Sequence, residues 1–205
     1  MVRRGRRIST LAAAVVLVIA ARGSAGGQNS LVSSLDETGK ISSNGHQISY
    51  RIRNLPVSSF PELPQSVAAA LTDRGCVIPQ TYEAHRPENV IHGSFERAGS
   101  NDWAVLCSSH GTVSLLVFFA SAPSTPVSLR QAAETDSLQP SGTPGIYGFG
   151  WGIDMATPHR IHEAQASMTH RPPPPEHDAI ADSIIDQRTV YHLYRNGTWE
   201  TVPTE

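Results

Sequence analysis

The chain has only two cysteines, Cys76 and Cys107, and a single lysine, Lys40. It has no Gly-x-Ser-x-Gly elbow, no His-Glu-x-x-His pair, no Walker loop and no Gly-x-Gly-x-x-Gly run. Each of those patterns places a nucleophile, a zinc ion or a phosphate by a defined geometry, and their absence removes the corresponding enzyme classes from first consideration. Cys-x-x-Cys is also missing, so a dithiol redox centre is not expected. Positive charge is scarce once the N-terminus is set aside. Five arginines lie in residues 1–25, which leaves 11 basic against 18 acidic residues and a net charge of −7 for the remainder. So acidic a chain is a poor partner for nucleic acid, whose binding depends on neutralising phosphates. Beyond residue 25 the most apolar run, Val113–Ala120, is only strand-length. A helical span needs about 20 residues, so no stable membrane span is expected after the leader is removed.

What the N-terminus does have is a basic head, Arg3, Arg4, Arg6 and Arg7, followed by about 14 apolar residues from Ile8 to Ala21 and a small-residue exit around Gly23–Gly27. Those three parts in that order read as a secretory signal peptide over 1–25, with cleavage after Ala25. A permanent anchor and a buried N-terminal helix are the competing readings. The first is opposed by the length of the run, the second by four arginines that suit a membrane surface better than a core. The expected location is the periplasm or the extracellular space. There an even, minimal cysteine count reads as one disulfide, Cys76–Cys107. Two separate buried thiols are the alternative.

Residues 26–45 are rich in Gly, Ser and Asn and are expected to form a flexible segment. From 46 to 205 the sequence reads as a single disulfide-stapled, β-rich domain. His46–Leu55 alternates, with Ile48, Tyr50 and Ile52 on one face, as a half-buried strand does. Pro64–Arg74 has Val67, Ala70 and Leu71 at helical spacing, Pro64 at the start and Gly75 at the cap position. Asn89–Phe95, Asp102–Cys107 and Thr112–Ala120 read as an antiparallel meander. Leu129–Ala133 reads as a further short strand, 135–152 as loop, Arg171–Glu176 as a polyproline strap, and Asp178–Asp186 as a short helix. The C-terminus predicts a hairpin: Val190–Tyr194 and Thr198–Val202 flank Asn196-Gly197. The fold class is therefore α+β, mainly antiparallel sheet, with one short helix (64–74) and a C-terminal β-hairpin.

Gly93, Phe95, Gly99, Asp102, Ala104 and Val105 fit the register of the FG-GAP (VCBS-type) repeat of β-propellers, and residues 93–106 resemble a degenerate copy of it. In that family the loop acids bind calcium. Here Ser94 and Ala98 stand at acidic positions, and one remaining carboxylate, Asp102, falls short of the six or more oxygens calcium takes. Calcium is not expected, and no second copy of the repeat is present. The chain beyond the leader is also similar to an uncharacterised family of exported bacterial proteins, through Gly75-Cys-Val-Ile-Pro-Gln80 and Trp103-Ala-Val-Leu-Cys107. That resemblance implies export and the cysteine pair, and no activity.

The remaining chemistry concerns histidines and acids. His177, Asp178 and Asp182 are the candidate metal ligands, with His159 and His162 nearby in sequence and Asp186 four residues beyond Asp182. On a helix the three aspartates share a face, and a histidine with carboxylates suits zinc. The competing reading is a solvated acidic helix face, and no metal, cofactor or catalytic residue is assigned. Ser108-Ser109-His110-Gly111 sets Ser beside His, but reads as a hairpin turn. Phe149 and Trp151, in Gly148–Gly152, are candidates for a stacking platform or for packing over backbone glycines. The expectation is a non-enzymatic binding module for a protein or cell-envelope partner. The alternative is a metal-dependent hydrolase built around 177–186.

Overall fold

The computed structural model describes residues 35–43 and 45–204. The leader and residues 26–34 lie outside the described residues. Among the described residues, thirteen strands form two sheets, of nine and four strands. The first holds β1 (Glu37–Ser43), β2 (His46–Pro56), β3 (Val77–Gln80), β4 (Val90–Gly93), β5 (Asp102–Ser109), β6 (Thr112–Phe118), β7 (Val127–Ala133), β8 (Leu138–Pro140) and β9 (Ile146–Phe149). The second holds β10 (Trp151–Ala156), β11 (Ala179–Ile184), β12 (Arg188–Arg195) and β13 (Thr198–Val202), in that spatial order. All pairings are antiparallel except β2 with β9. Two short helices accompany the sheets, α1 (Gln65–Asp73) and α2 (Pro158–Ala164).

Alternation along β5 and β6 builds the layers. Ala104, Leu106, Val113, Leu115 and Val117 point into one core with Trp151, Ile153 and Ile180 of the second sheet. Trp103, Val105, Cys107, Leu116 and Phe118 point the other way, against Val67, Ala70 and Leu71 of α1. Beneath the second sheet, Ala179, Ala181, Tyr191 and Leu193 pack on Ile161 of α2. The order is helix, sheet, sheet, helix. Strands buried on both faces read as continuous apolar runs, as Trp103–Cys107 does.

α1 ends as its sequence predicts. Gly75 takes φ +67°, its N–H donates to Thr72 O, and the Cys76 N–H donates to Leu71 O, the two bonds of a Schellman cap. The cap delivers Cys76 to Cys107 on β5, and the two form a disulfide with Cα atoms 5.1 Å apart. The meander stands as β4–β5–β6. The terminal hairpin stands as β12–β13, with Asn196 and Gly197 both at positive φ, as a type I′ turn requires.

Four expectations change. Residues 37–43, within the segment expected to be flexible, form β1 along the whole of β2. The stretch 135–152 contains β8, β9 and the start of β10 rather than loop alone. A second helix, α2, is present; Thr157 caps it by accepting from Arg160 N–H, and Pro158 stands at its first position. Asp178–Asp186 is not helical: Ala179–Ile184 is a strand between β10 and β12. Residues i and i+4 share a face in a strand as they do in a helix, so the acids alone did not decide the period. The apolar residues do: Ile180 and Ile184 face one core, Ala179 and Ala181 the other.

Candidate functional site

The β5–β6 hairpin turns on His110 and Gly111, at φ +53° and +77°. The Gly111 carbonyl accepts from Glu134 N–H at 3.1 Å, so the end of β7 is pinned beside this turn. Glu134 is buried there, 3% exposed. Ser108 Oγ donates to its Oε1. Glu37 of β1 lines the same cleft. Tyr50 reaches across from β2 and donates from its hydroxyl to Glu37 Oε1 at 3.1 Å. Gly39 makes that reach possible: a Cβ there would stand 2.7 Å from the Tyr50 ring.

Asn54 of β2, also buried, donates from Nδ2 to Leu35 O at 3.1 Å. These groups line a cleft of about 390 Å³ together with Asp36 and His110. Two buried oxygens of that lining, Asn54 Oδ1 and Glu134 Oε2, have no hydrogen-bond donor. Burial pushes the Glu134 carboxyl up, the neighbouring Glu37 carboxylate pushes it further, and the Ser108 hydroxyl pulls it back; the result is about 7. Tyr50 is raised by burial and then by Glu37.

Larger clefts exist. One of about 600 Å³ lies along the edges of β4 and β10, and one of about 480 Å³ beside β9. Their lining is internally satisfied. Asn89 donates to Pro79 O and Trp151 O and accepts from Ile153 N–H, Thr81 donates to Glu88, and Asp154 pairs with Arg160. Among the described residues, neither large cleft is lined by a buried polar atom without a partner. Chemistry rather than size selects the smaller cleft.

The structure does not bring the metal candidates together. Asp178 Oδ2 accepts from Ser94 N–H at 2.9 Å, and His177 Nδ1 lies 3.0 Å from Asp178 O. Asp182, roughly 13 Å further along the extended chain, points into the intersheet core. There it accepts two bonds from Arg130 Nη1, at 2.8 and 2.9 Å, and one contact from His192 Nε2 at 3.2 Å. Arg130 in turn stacks over Trp151, 4.2 Å from the ring centroid. Burial would raise the Asp182 carboxyl, but His192 and Arg130 overcome it and hold it below its ordinary value. Asp186 sits at positive φ in the β11–β12 turn. His159 faces Glu163 at 3.4 Å on the exposed side of α2, and the His162 carbonyl accepts from Arg171 of the proline strap. Among the described residues, no three His, Cys, Asp or Glu side chains converge to hold a metal ion.

The other sequence candidates fall into place. Phe149 and Trp151 are fully buried, so they pack rather than present a stacking surface. Ser109 Oγ donates to Arg74 O at 3.1 Å and lies 2.8 Å from His110 Nδ1. The pair sits in the exposed β5–β6 turn, where Ser109 ties the turn to the end of α1. Asp102, the remaining acid of the FG-GAP-like loop, accepts from Glu96 N–H, Ser100 Oγ and Ala120 N–H. It closes the loop with protein donors.

No family model matches the chain, and no curated protein and no solved structure matches it either. Function is therefore argued from the cleft. Its central residues, Glu37, Asn54 and Glu134, carry no sequence signal, because Glu134 meets its partners only through the pairing of β1, β5 and β7. The hint available was an acid directly after the alternating segment that ends at Ala133.

Proposed function

We propose that this protein is an exported, non-enzymatic binding module that acts in the periplasm or outside the cell on a protein or cell-envelope partner, with the Glu37–Asn54–Glu134 cleft as its ligand site. One observation carries the reading: two buried acceptor oxygens, Asn54 Oδ1 and Glu134 Oε2, line one cavity and lack donors. Buried polar groups are almost always partnered, and leaving one unpaired costs about 1–3 kcal/mol. A ligand that brings hydrogen-bond donors relieves that cost. The volume lies within the range of small-ligand sites. Export is supported by the leader's composition and by the Cys76–Cys107 bond, a linkage suited to an oxidising compartment. The resemblance to exported bacterial proteins points the same way.

The test is a thermal-shift series with small donor-bearing probes: ethylammonium, guanidinium, acetamide and glucose. The reading requires at least one to raise the melting temperature of the wild-type protein and to raise that of Asn54→Leu, which removes the orphan acceptor at similar size, clearly less. No shift with any probe overturns it. Elemental analysis addresses the metal-dependent hydrolase. Stoichiometric zinc that disappears in His177→Ala would replace the binding reading with that one.

A further inference from the structure

We propose that the ligand group taken by the cleft is a primary ammonium, held by Asn54 Oδ1, Glu134 Oε2 and the Glu37 carboxylate. The inference rests on the binding reading above and names the chemistry of its ligand. The cleft presents acceptors: Asn54 Oδ1, Glu134 Oε2 and the Glu37 carboxylate. An ammonium carries three N–H donors and no acceptor, which matches that set in number and in polarity. Calcium takes six to eight oxygens, and these three fall short. A neutral amide or hydroxyl supplies donors but no charge.

Charge decides between these ligands. Burial and the Glu37 carboxylate raise the Glu134 carboxyl to about 7, and an ionised Glu134 in a cleft also lined by Glu37 is a like-charge arrangement that an added cation relieves. An ammonium is that cation. The other titratable groups around the pair are Tyr50 of β2, which donates to Glu37, Asp36, which is paired with Arg51, and His110 of the β5–β6 turn. None of them places a cation between the two carboxyls. The lysine side chain of a partner and a free alkylamine present the same group, and the experiment tells them apart.

Isothermal titration of the full mature protein with ethylammonium and with Nα-acetyl-lysinamide tests the proposal. In buffers of different ionisation enthalpy, the heat should vary as one proton is released below pH 7. The affinity should rise about tenfold per pH unit up to about 7 and then level off, the behaviour of one linked proton. Tetramethylammonium, a cation without N–H donors, should bind at least tenfold more weakly. Tighter binding of one amine over the other separates a free amine from a lysine side chain. Glu134→Gln should abolish the pH dependence, and Asn54→Leu should weaken binding about tenfold if Glu134→Gln does not fold. Histidines titrate near neutrality, so His110→Asn, which suits the left-handed backbone there, should leave the pH dependence intact. The proposal is overturned if neither amine binds, if calcium or acetamide binds as well as ethylammonium, or if the heat is the same in every buffer. Binding of acetamide or glucose without ethylammonium would end this inference and leave the binding reading standing. Silence from all probes would end both.

Discussion

Glu134 holds its carboxyl where water is largely excluded and another carboxylate stands close by. Both effects favour the protonated form, so its value of about 7 lies above the 4.5 of an unperturbed group. Below pH 4.5 the folded and unfolded chains both hold this proton and it contributes no slope. Between 4.5 and about 7 the folded chain keeps a proton that the unfolded chain has released, so stability falls as pH rises through that window and is level above it. The full shift corresponds to at most about 3 kcal/mol, and water at the cleft mouth reduces this to roughly 1–2 kcal/mol. Urea denaturation from pH 4.5 to 8 should show the decline in wild type, and Glu134→Gln should flatten it. Asp182 behaves in the opposite sense. Its carboxyl is lowered by His192 and Arg130, so its contribution is present above about pH 4 and is lost as pH falls further. Asp182→Ala leaves Arg130 and His192 facing the core without their counter-charge. It should cost about 3 kcal/mol in chemical denaturation; a loss within experimental error would show that the triad does not tie the sheets together.

At the scale of elements, the Schellman cap of α1 and the disulfide act as one device. The cap fixes where Cys76 emerges, and the bond holds α1 against one face of β5, with β3 paired beside β5 in the same sheet. Reduction, or Cys76→Ser with Cys107→Ser, should lower stability by about 3–4 kcal/mol for a loop of this length, seen as an earlier urea midpoint. β1 depends on a different detail. Gly39 leaves room for the Tyr50 ring on its way to Glu37. Gly39→Ala should displace the ring, loosen β1 and raise amide exchange over residues 37–43, while α1 and β11 keep their protection. Local signals made α1, the β4–β5–β6 meander and the terminal hairpin legible: apolar spacing, a glycine cap and an Asn-Gly turn. The acids around β11 do not distinguish strand from helix, because a four-residue step satisfies both the helical and the strand period. α2 carried a visible signal in Thr157-Pro158, where threonine caps and proline opens a helix. β1 had none, since a polar edge strand takes its order from the strand it pairs with.

Across the whole molecule, the helix–sheet–sheet–helix order uses both faces of both sheets. Most buried apolar residues among those described are therefore committed to three cores. The class of fold, the disulfide and the acidic character were legible because they depend on composition and near neighbours. The candidate site was not. Glu37, Asn54, Ser108 and Glu134 meet through strand pairings distant in sequence, and each alone is an ordinary surface-type residue. Asp178 accepts from Ser94 N–H as a loop tie, and Asp182 accepts from Arg130 across the sheets. Among the described residues no helix is long and apolar enough to cross a membrane. Export itself is tested by expressing the full chain and fractionating the cells. The expected product is a disulfide-bonded protein beginning near Gly26 in the periplasm or medium; full-length protein with two free thiols in the cytosol would contradict it.

The central claim is that Glu134 lines a ligand cleft with its carboxyl raised by burial and by Glu37, and carboxyl ¹³C NMR of Glu134 tests it most directly. The predicted result is a titration midpoint near 7 in the protein alone, moving to lower pH when ethylammonium is added. A midpoint near 4.5, unmoved by the amine, would contradict it.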